Sequence, residues 1–172
     1  GLVGMTQNQP VYGSVLNKKD VASALGISTR DFHPDLPVQM ASTGLHKIFA
    51  PLFDLSTLLD LRPNLDAIDA LSRAHGAIGI YCYSLETHTG ATAHCRNFAP
   101  VVGIAEDAAT GTSAAALSCL LYQFGVLGGE ENLYCRYEQG DCIGRPSELL
   151  VRLLVKGGAV DTVWVSGRAV QT

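Results

Sequence analysis

Two neighbouring carboxylates, Glu106 and Asp107, stand immediately before a run of small residues, AATGTS, at positions 108–113. An apolar segment follows and predicts a helix, whose first backbone N–H groups have no partner within the helix. Those N–H groups and the positive end of the helix dipole favour an anion. A carboxylate beside such an anion suits proton transfer on a carbon next to a carboxylate or carbonyl group. Asp107 is therefore the candidate catalytic residue, and Gly111 and Thr112 are candidate binders of a substrate carboxylate.

The same segment is also compatible with helix capping or with phosphate binding. Acidic residues before a helix N-terminus are stabilised by the dipole, so ordinary capping accounts for both carboxylates without any function. A phosphate-binding loop over residues 110–113 is a weaker interpretation, because the Walker motif GxxxxGK[ST] is missing and no lysine stands near. The sequence leaves capping and catalysis open.

A metal site is the second kind of chemistry that the side chains suggest. The donor candidates that cluster in the sequence are Glu86, His88, His94 and Cys95. They straddle a predicted hairpin turn, and strand alternation sends the neighbours His94 and Cys95 to opposite faces. We therefore predict no metal site from these four residues.

The candidate site is positioned by a predicted helix over about residues 112–124. Alanine and leucine dominate this segment and favour a helix, and Gly125 stands where a left-handed C-cap usually lies. Apolar residues cover its whole circumference, which is typical of a helix buried on all sides or in a membrane. A dozen or so residues are too few to span a bilayer. We expect a central helix wrapped by other elements, with its N-terminus open.

The rest of the chain predicts strands, short turns and two capped helices. Asn17 caps a helix over residues 18–25, and Asn64 caps another over residues 65–74. The segments with strand-like patterns are 1–9, 38–43, 46–53, 77–84, 91–98, 132–138, 147–155 and 159–166. Successive strands joined by short turns form antiparallel sheets. The predicted fold is α+β: a curled, mostly antiparallel sheet wrapped around a central apolar helix, in a single domain over residues 1–172.

Composition narrows the class of protein. The 172 residues suit one domain or one half of a larger enzyme. Twelve basic and sixteen acidic residues give a net charge of −4, which disfavours binding to nucleic acid or to an anionic membrane. The five cysteines form no CxxC pair, a pattern that predicts reduced thiols and a cytoplasmic protein. Gly1 already lies in a strand-like pattern, so we expect the chain to be part of something longer.

Several motifs resemble one known family. Residues 96–111 have the pattern RxFxPxxGIxEDxATG, which closely resembles the signature of the phenazine-biosynthesis (PhzF-like) family of the diaminopimelate epimerase-like superfamily. The patterns EQGxxxGRPS at 138–147, MxQxxP at 5–10 and QxASTG at 39–44 are also similar to that family. The resemblance covers nearly the whole chain and corresponds to the C-terminal half of such enzymes. In the family, two similar halves face each other across an active-site cleft.

The resemblance implies an isomerase that moves a proton on a small carboxylic acid without a metal or an organic cofactor. It implies that Asp107 orients the substrate and assists proton transfer, while Gly111 and Thr112 bind the substrate carboxylate through backbone N–H groups. Glu106 and Thr110, in the same loop, are added as substrate-binding residues. The main acid/base of the family is a glutamate of the other half, which has no counterpart in this sequence.

Three interpretations of the function remain open. The chain is the substrate-binding half of such an isomerase, with the N-terminal half of the same enzyme as its partner. Alternatively, it is an isomerase by itself, and a second copy of the chain replaces the other half. A third interpretation, from another class of protein, is a binding or scaffold module that retains the fold without catalysis.

Overall fold

One sheet, whose opposite edges are formed by consecutive strands, dominates the protein. The computed structural model describes residues 3–169, and within them ten strands form the order β1-β10-β9-β8-β6-β5-β4-β3-β2, with β7 paired to β6. The strands β1 (Val3–Thr6) and β2 (Val11–Val15) are separated by residues 7–10. A linker of this length spans at most roughly 18 Å. The sheet therefore has to curl until its two edges approach each other.

Among the described residues, seven of the nine strand pairs are antiparallel, and the curled, mostly antiparallel α+β sheet is confirmed. The remaining strands are β3 (Gln39–Ser42), β4 (Lys47–Pro51), β5 (Ile80–Ser84), β6 (Ala93–Ala99), β7 (Ile104–Asp107), β8 (Asn132–Gln139), β9 (Ser147–Lys156) and β10 (Ala159–Ala169). The pairs β4–β5 and β6–β8 are parallel. Parallel neighbours need a crossover connection, and helices supply it in both cases.

The predicted central helix is α4 (Gly111–Gln123), which lies against the concave face of the sheet. Every residue from 113 to 121 is buried, and Gly125 follows with a φ of 76°. Its neighbours in the concave core include Phe49, Tyr137 and Leu153. Burial on all sides follows because the sheet curls around a helix that has no polar face.

The convex face of β3 to β6 is covered by three other helices. These are α1 (Lys18–Leu25), α2 (Leu55–Leu59) and α3 (Leu65–Ala74), and they enclose a second apolar core that contains Val21, Ile48 and Phe98. The two predicted caps are confirmed: Asn17 Oδ1 accepts from the Lys19 N–H at 2.8 Å, and Asn64 Oδ1 accepts from the Ala67 N–H at 3.1 Å.

Two strands and one α-helix were not predicted from the sequence: β2, β7 and α2. All three are only four or five residues long, and β2 is largely exposed without a regular alternation. Such segments carry too little periodicity to be recognised. The strand predicted over residues 1–9 is Val3–Thr6, and residues 1–2 lie outside the described range. No helix within residues 3–169 combines the length and the apolarity needed to cross a membrane.

Candidate active site

Asp107 is the last residue of β7 and lies opposite Asn97 of β6. Residues directly opposite in an antiparallel pair project from the same face of the sheet. For this pair it is the concave face, because Asn97 is also opposite the core residue Tyr81 on β5. Residues 108–110 then turn the chain into α4. This turn brings Asp107 to the N-terminus of the central helix.

A hydrogen-bond network fixes the turn between Asp107 and α4. Thr110 Oγ1 donates to Asp107 Oδ2 at 2.7 Å, and the Gln139 side-chain amide donates to the Asp107 carbonyl at 2.9 Å and to Thr110 Oγ1 at 3.0 Å. Gln139 Oε1 in turn accepts from the Tyr81 hydroxyl at 2.9 Å. Gln139 and Tyr81 are fully buried. Within residues 3–169 the network leaves Asp107 Oδ1 without a hydrogen-bond donor.

The N-terminus of α4 is open, as predicted. The N–H groups of Gly111, Thr112 and Ser113 have no acceptor within the described part of the chain, and Ala114 N–H is the first to bond, to the Thr110 carbonyl at 3.0 Å. The N-cap residue Thr110 makes no capping bond, because its hydroxyl is directed to Asp107. These unpaired donors and the helix dipole together favour an anion and mark a candidate anion site.

Packing around the first turn of α4 holds this candidate anion site in place. Thr43 Oγ1, from the turn after β3, donates to the Thr112 carbonyl at 2.9 Å. A Cβ atom added at Gly111 would lie 3.4 Å from a methyl group of Val165 on β10. The turn is therefore in close contact with strands from both ends of the sheet.

Lys47, a residue that the sequence analysis missed, places a cation near Asp107. It is 2% exposed, and its ammonium group donates to Asn97 Oδ1. Burial lowers the pKa of Lys47 from 10.5 to about 8, although the nearby Asp107 and Cys82 side chains act in the opposite direction. A lysine in the apolar segment KIFAP is visible in the sequence as an exception to the pattern. Its position near Asp107 follows only when the face of β4 that carries it is known.

Glu106 is separated from the other predicted site residues, and this corrects the expectation that it binds substrate beside Asp107. Its two oxygens accept from Arg96 Nε and Nη2, each at 2.9 Å. Arg96 Nη1 also donates to the carbonyl of Leu58, at the end of α2. Neighbours in a strand project to opposite faces, so Glu106 lies on the convex side and joins α2 to the sheet.

The second motif, residues 138–147, supports the turn after Asp107 from outside. Ser147 Oγ donates to the Ala108 carbonyl at 2.6 Å and lies 3.1 Å from the Gln139 carbonyl. Gly140 has a φ of 92°, and a Cβ atom at this position would lie 2.2 Å from the Arg145 carbonyl oxygen. Only glycine fits there, because the backbone of the motif closes against itself and against Ala108.

Comparisons with known proteins identify relatives of the chain. The family model described as phenazine biosynthesis-like protein matches residues 3–172. An uncharacterized isomerase of Deinococcus radiodurans is 41% identical over 168 residues, which cover 94% of this chain and 54% of that protein. The trans-2,3-dihydro-3-hydroxyanthranilate isomerase of Pseudomonas chlororaphis is 31% identical, with 96% of this chain and 55% of that protein covered. The chain thus spans about half the length of these curated relatives.

The fold is also found among solved structures. The crystal structure of the Bacillus anthracis phenazine biosynthesis protein of the PhzF family superposes with a TM-score of 0.87 over 98% of this chain and 58% of that chain, at 23% identity. This likeness confirms the curled half-barrel fold, and the match of the family model over residues 3–172 identifies the family. The chain belongs to the phenazine biosynthesis-like (PhzF) family.

Proposed function

We propose that this chain is the substrate-binding part of an isomerase that moves a proton on a small carboxylic acid. The observation that carries the proposal is the meeting of Asp107 and the open N-terminus of α4 in one short turn. The isomerase names of the relatives support it, and one of those names denotes a small carboxylic acid as substrate. No organic cofactor or metal is needed for the chemistry proposed at this turn.

The substrate carboxylate would accept hydrogen bonds from the N–H groups of Gly111 and Thr112, at the positive end of α4. This places a neighbouring C–H group beside Asp107 Oδ1. The Asp107 carboxylate takes that proton, and the electron pair of the C–H bond delocalises into the adjacent π system of the substrate. The proton is then returned at another atom of the substrate. The Thr110 hydroxyl holds Oδ2 in place, and the buried Lys47 cation compensates the negative charge that develops nearby.

A second unit would complete the site. The proposed isomerase removes a proton at one atom of the substrate and adds one at another. An acid/base group on each side of the substrate would assist both steps, and Asp107 supplies one side only. We propose that the facing unit is the N-terminal half of the same enzyme, or alternatively a second copy of this chain.

The five free thiols support a reducing compartment such as the cytoplasm.

The decisive experiment compares Asp107→Asn with the unchanged protein in its longest natural form. Isomerisation of trans-2,3-dihydro-3-hydroxyanthranilate and of related small acids is followed by NMR in D2O, which also reports exchange of the transferred hydrogen. Asp107→Asn is expected to reduce turnover by at least about 100-fold, because it removes a general acid/base. Asp35→Asn, at an exposed position in a loop, is the matched control and leaves turnover unchanged.

Binding measurements separate the isomerase from the non-catalytic module. Asp107→Asn removes a negative charge beside the anion, so binding of a small carboxylate should persist or tighten. An isomerase shows lost turnover with retained binding. If the unchanged protein binds the acids without converting or exchanging them, the binding module is the correct interpretation. Unchanged turnover in Asp107→Asn would mean that Asp107 only caps the helix and takes no part in catalysis.

A further inference from the structure

A second cluster of reactive side chains lies on the convex face of the sheet, away from Asp107. His88 belongs to the turn between β5 and β6, His94 to β6 itself, and Asp141 to the 3-10 turn that follows β8. One ligand atom from each of the three lies within 4.8 Å of the others. We propose that these three side chains form a binding site for a divalent transition-metal ion of the zinc type.

His94 is prepared for a metal by its surroundings. Its ring is fully buried, and Nδ1 lies 2.7 Å from Glu138 Oε2. Glu138 also accepts hydrogen bonds from the backbone N–H groups of His88, at 3.1 Å, and Thr89, at 2.8 Å. A carboxylate that accepts from all these donors requires the proton of His94 on Nδ1. The other ring nitrogen, Nε2, is on the side of His88 and Asp141.

The Nε2 atom of His94 has no hydrogen-bond partner within the described part of the chain, although it is buried. A buried polar atom without a partner costs free energy, which a ligand at that position would recover. A histidine whose other ring nitrogen donates to a carboxylate is the arrangement that orients metal-bound histidines. This unpartnered nitrogen is the observation that distinguishes the cluster from an ordinary group of polar side chains.

The other two donors are placed to complete a coordination shell. Asp141 Oδ2 lies 3.9 Å from His94 Nε2 and 3.7 Å from His88 Nε2. Zinc holds each nitrogen or oxygen ligand at about 2.0–2.2 Å from the ion. The side chains of His88 and Asp141 therefore have to move slightly towards the ion. Their side chains are 48% exposed (His88) and 35% exposed (Asp141) and are free to do so. Three protein ligands leave a fourth tetrahedral position for water or an external ligand.

The donor set also indicates which ions are excluded. Two imidazoles and one carboxylate suit Zn²⁺ and similar borderline ions better than Ca²⁺ or Mg²⁺, which prefer oxygen ligands alone. The thiol of Cys142 is next to Asp141 in sequence, but it lies 3.9 Å from the carbonyl of Leu59 and is not among the clustered donors. The site is therefore not a thiolate site.

An ion at this position would tie the turn after β5 to the end of β8. Glu138 faces the cluster, and the next residue of β8, Gln139, holds the turn that carries Asp107. The metal would thus stabilise the strand end behind the candidate active site without contact to the substrate. This inference does not depend on the proposed function.

The test is a titration of the chelator-treated protein with Zn²⁺, followed by calorimetry and by the melting temperature. One ion per chain is expected to bind and to raise the melting temperature. His88→Ala and Asp141→Asn, both at exposed positions, should each weaken binding about tenfold or more, since even an outer-shell partner is worth ~10–100-fold. The matched controls His75→Ala and Cys142→Ser, also exposed, should bind as tightly as the unchanged protein.

Cobalt gives an independent readout of the ligands. Co²⁺ bound by imidazole and carboxylate lacks the thiolate charge-transfer absorption that a cysteine ligand produces. Detection of that absorption, or loss of binding in Cys142→Ser, would assign the ion to the thiol and overturn the proposal. Absence of saturable one-to-one binding, or equal binding by the variant that carries both His88→Ala and Asp141→Asn, would overturn it as well. Such an outcome would mean that the two histidines only form hydrogen bonds to carboxylates.

Discussion

At the scale of single residues, Gln139 connects the two sequence motifs of the protein. Its amide group bonds the backbone of Asp107, the hydroxyl of Thr110 and the hydroxyl of Tyr81, and the side chain is fully buried. Both ends of a buried amide are satisfied only in one orientation, so the network defines the position of the turn. The candidate acid/base is therefore held by a residue that does not itself react.

Gln139→Met keeps a similar volume but removes these hydrogen bonds. The Tyr81 hydroxyl then loses its Gln139 acceptor inside the core, which costs about 1–3 kcal/mol. We expect the free energy of unfolding, measured in urea, to fall by about that amount. Tyr81→Phe removes the same hydroxyl without leaving it unpaired and should cost less. A larger loss in Tyr81→Phe than in Gln139→Met would contradict the assignment of the network.

Lys47 gives a pH-dependent stability whose sign follows from its pKa. The folded protein holds Lys47 at a pKa of about 8, below the ordinary value of 10.5. Between these two values the unfolded chain binds more protons than the folded one, so stability rises with pH. Relative to Lys47→Met, the unchanged protein should gain on the order of 3 kcal/mol between pH 8 and pH 10.5.

Denaturation of both proteins across this pH range measures the gain, and taking the difference cancels the titration of the buried tyrosines and cysteines. Lys19→Met, which changes an exposed lysine, is the control and should give a difference that does not vary with pH. A flat difference for Lys47→Met as well would mean that the Lys47 ammonium group is solvated.

At the scale of elements, α4 is the helix on which the concave core is built. Its residues 113–121 are all buried, and Leu117 is among the largest fully buried side chains. Leu117→Ala should lower the free energy of unfolding by about 2–5 kcal/mol, as in other close-packed cores. Leu45→Ala is the matched control, because Leu45 is 55% exposed. A loss under about 0.5 kcal/mol at Leu117, the level of surface substitutions, would contradict the architecture.

The ion pair of Arg96 and Glu106 joins α2 to the sheet, and its removal separates a structural role from a binding role. Glu106→Gln leaves a nearly buried guanidinium without its charge partner, which costs about 3–5 kcal/mol for buried pairs. We expect a lower melting temperature and unchanged binding of small carboxylates. Glu131→Gln, at an exposed position, should change neither quantity. If Glu106→Gln instead binds carboxylates more weakly and its stability is unchanged, Glu106 belongs to the substrate site.

At the scale of the whole molecule, two exposed apolar side chains lie on segments that pack near the open end of α4. Met5 is 59% exposed and lies opposite Val165, whose methyl group would be 3.4 Å from a Cβ atom added at Gly111. Leu45 is in the same turn as Thr43, which holds the first turn of α4. Large apolar side chains exposed beside a functional site are typical of an interface. This surface is where the proposed facing unit would dock.

The chain by itself should therefore self-associate at tens of micromolar, as sedimentation velocity can measure. A variant with Met5→Gln and Leu45→Gln should be monomeric under the same conditions. Tyr134→Gln is the control, because Tyr134 is exposed on the convex face. If only the Tyr134 variant is monomeric, the interface lies on the convex face and not at the active site. If the chain is monomeric at all concentrations, the alternative that a second copy of the chain is the facing unit loses its support.

The sequence by itself determined the features that depend on neighbouring residues. The caps at Asn17 and Asn64, the apolar circumference of α4 and the open turn from Asp107 to Thr112 are all encoded within a few positions, and each appears as expected. Capping, helix propensity and the helix dipole act over a single turn, so they are visible in the order of residues.

Only the tertiary structure decided which distant residues meet and on which face. Strand pairing places Lys47 beside Asn97 and Asp107, turns Glu106 away towards Arg96, and brings Asp141 to His88 and His94. A shift of one residue in the register would exchange the two faces. That register depends on contacts between strands far apart in the chain, which local patterns of residues do not specify.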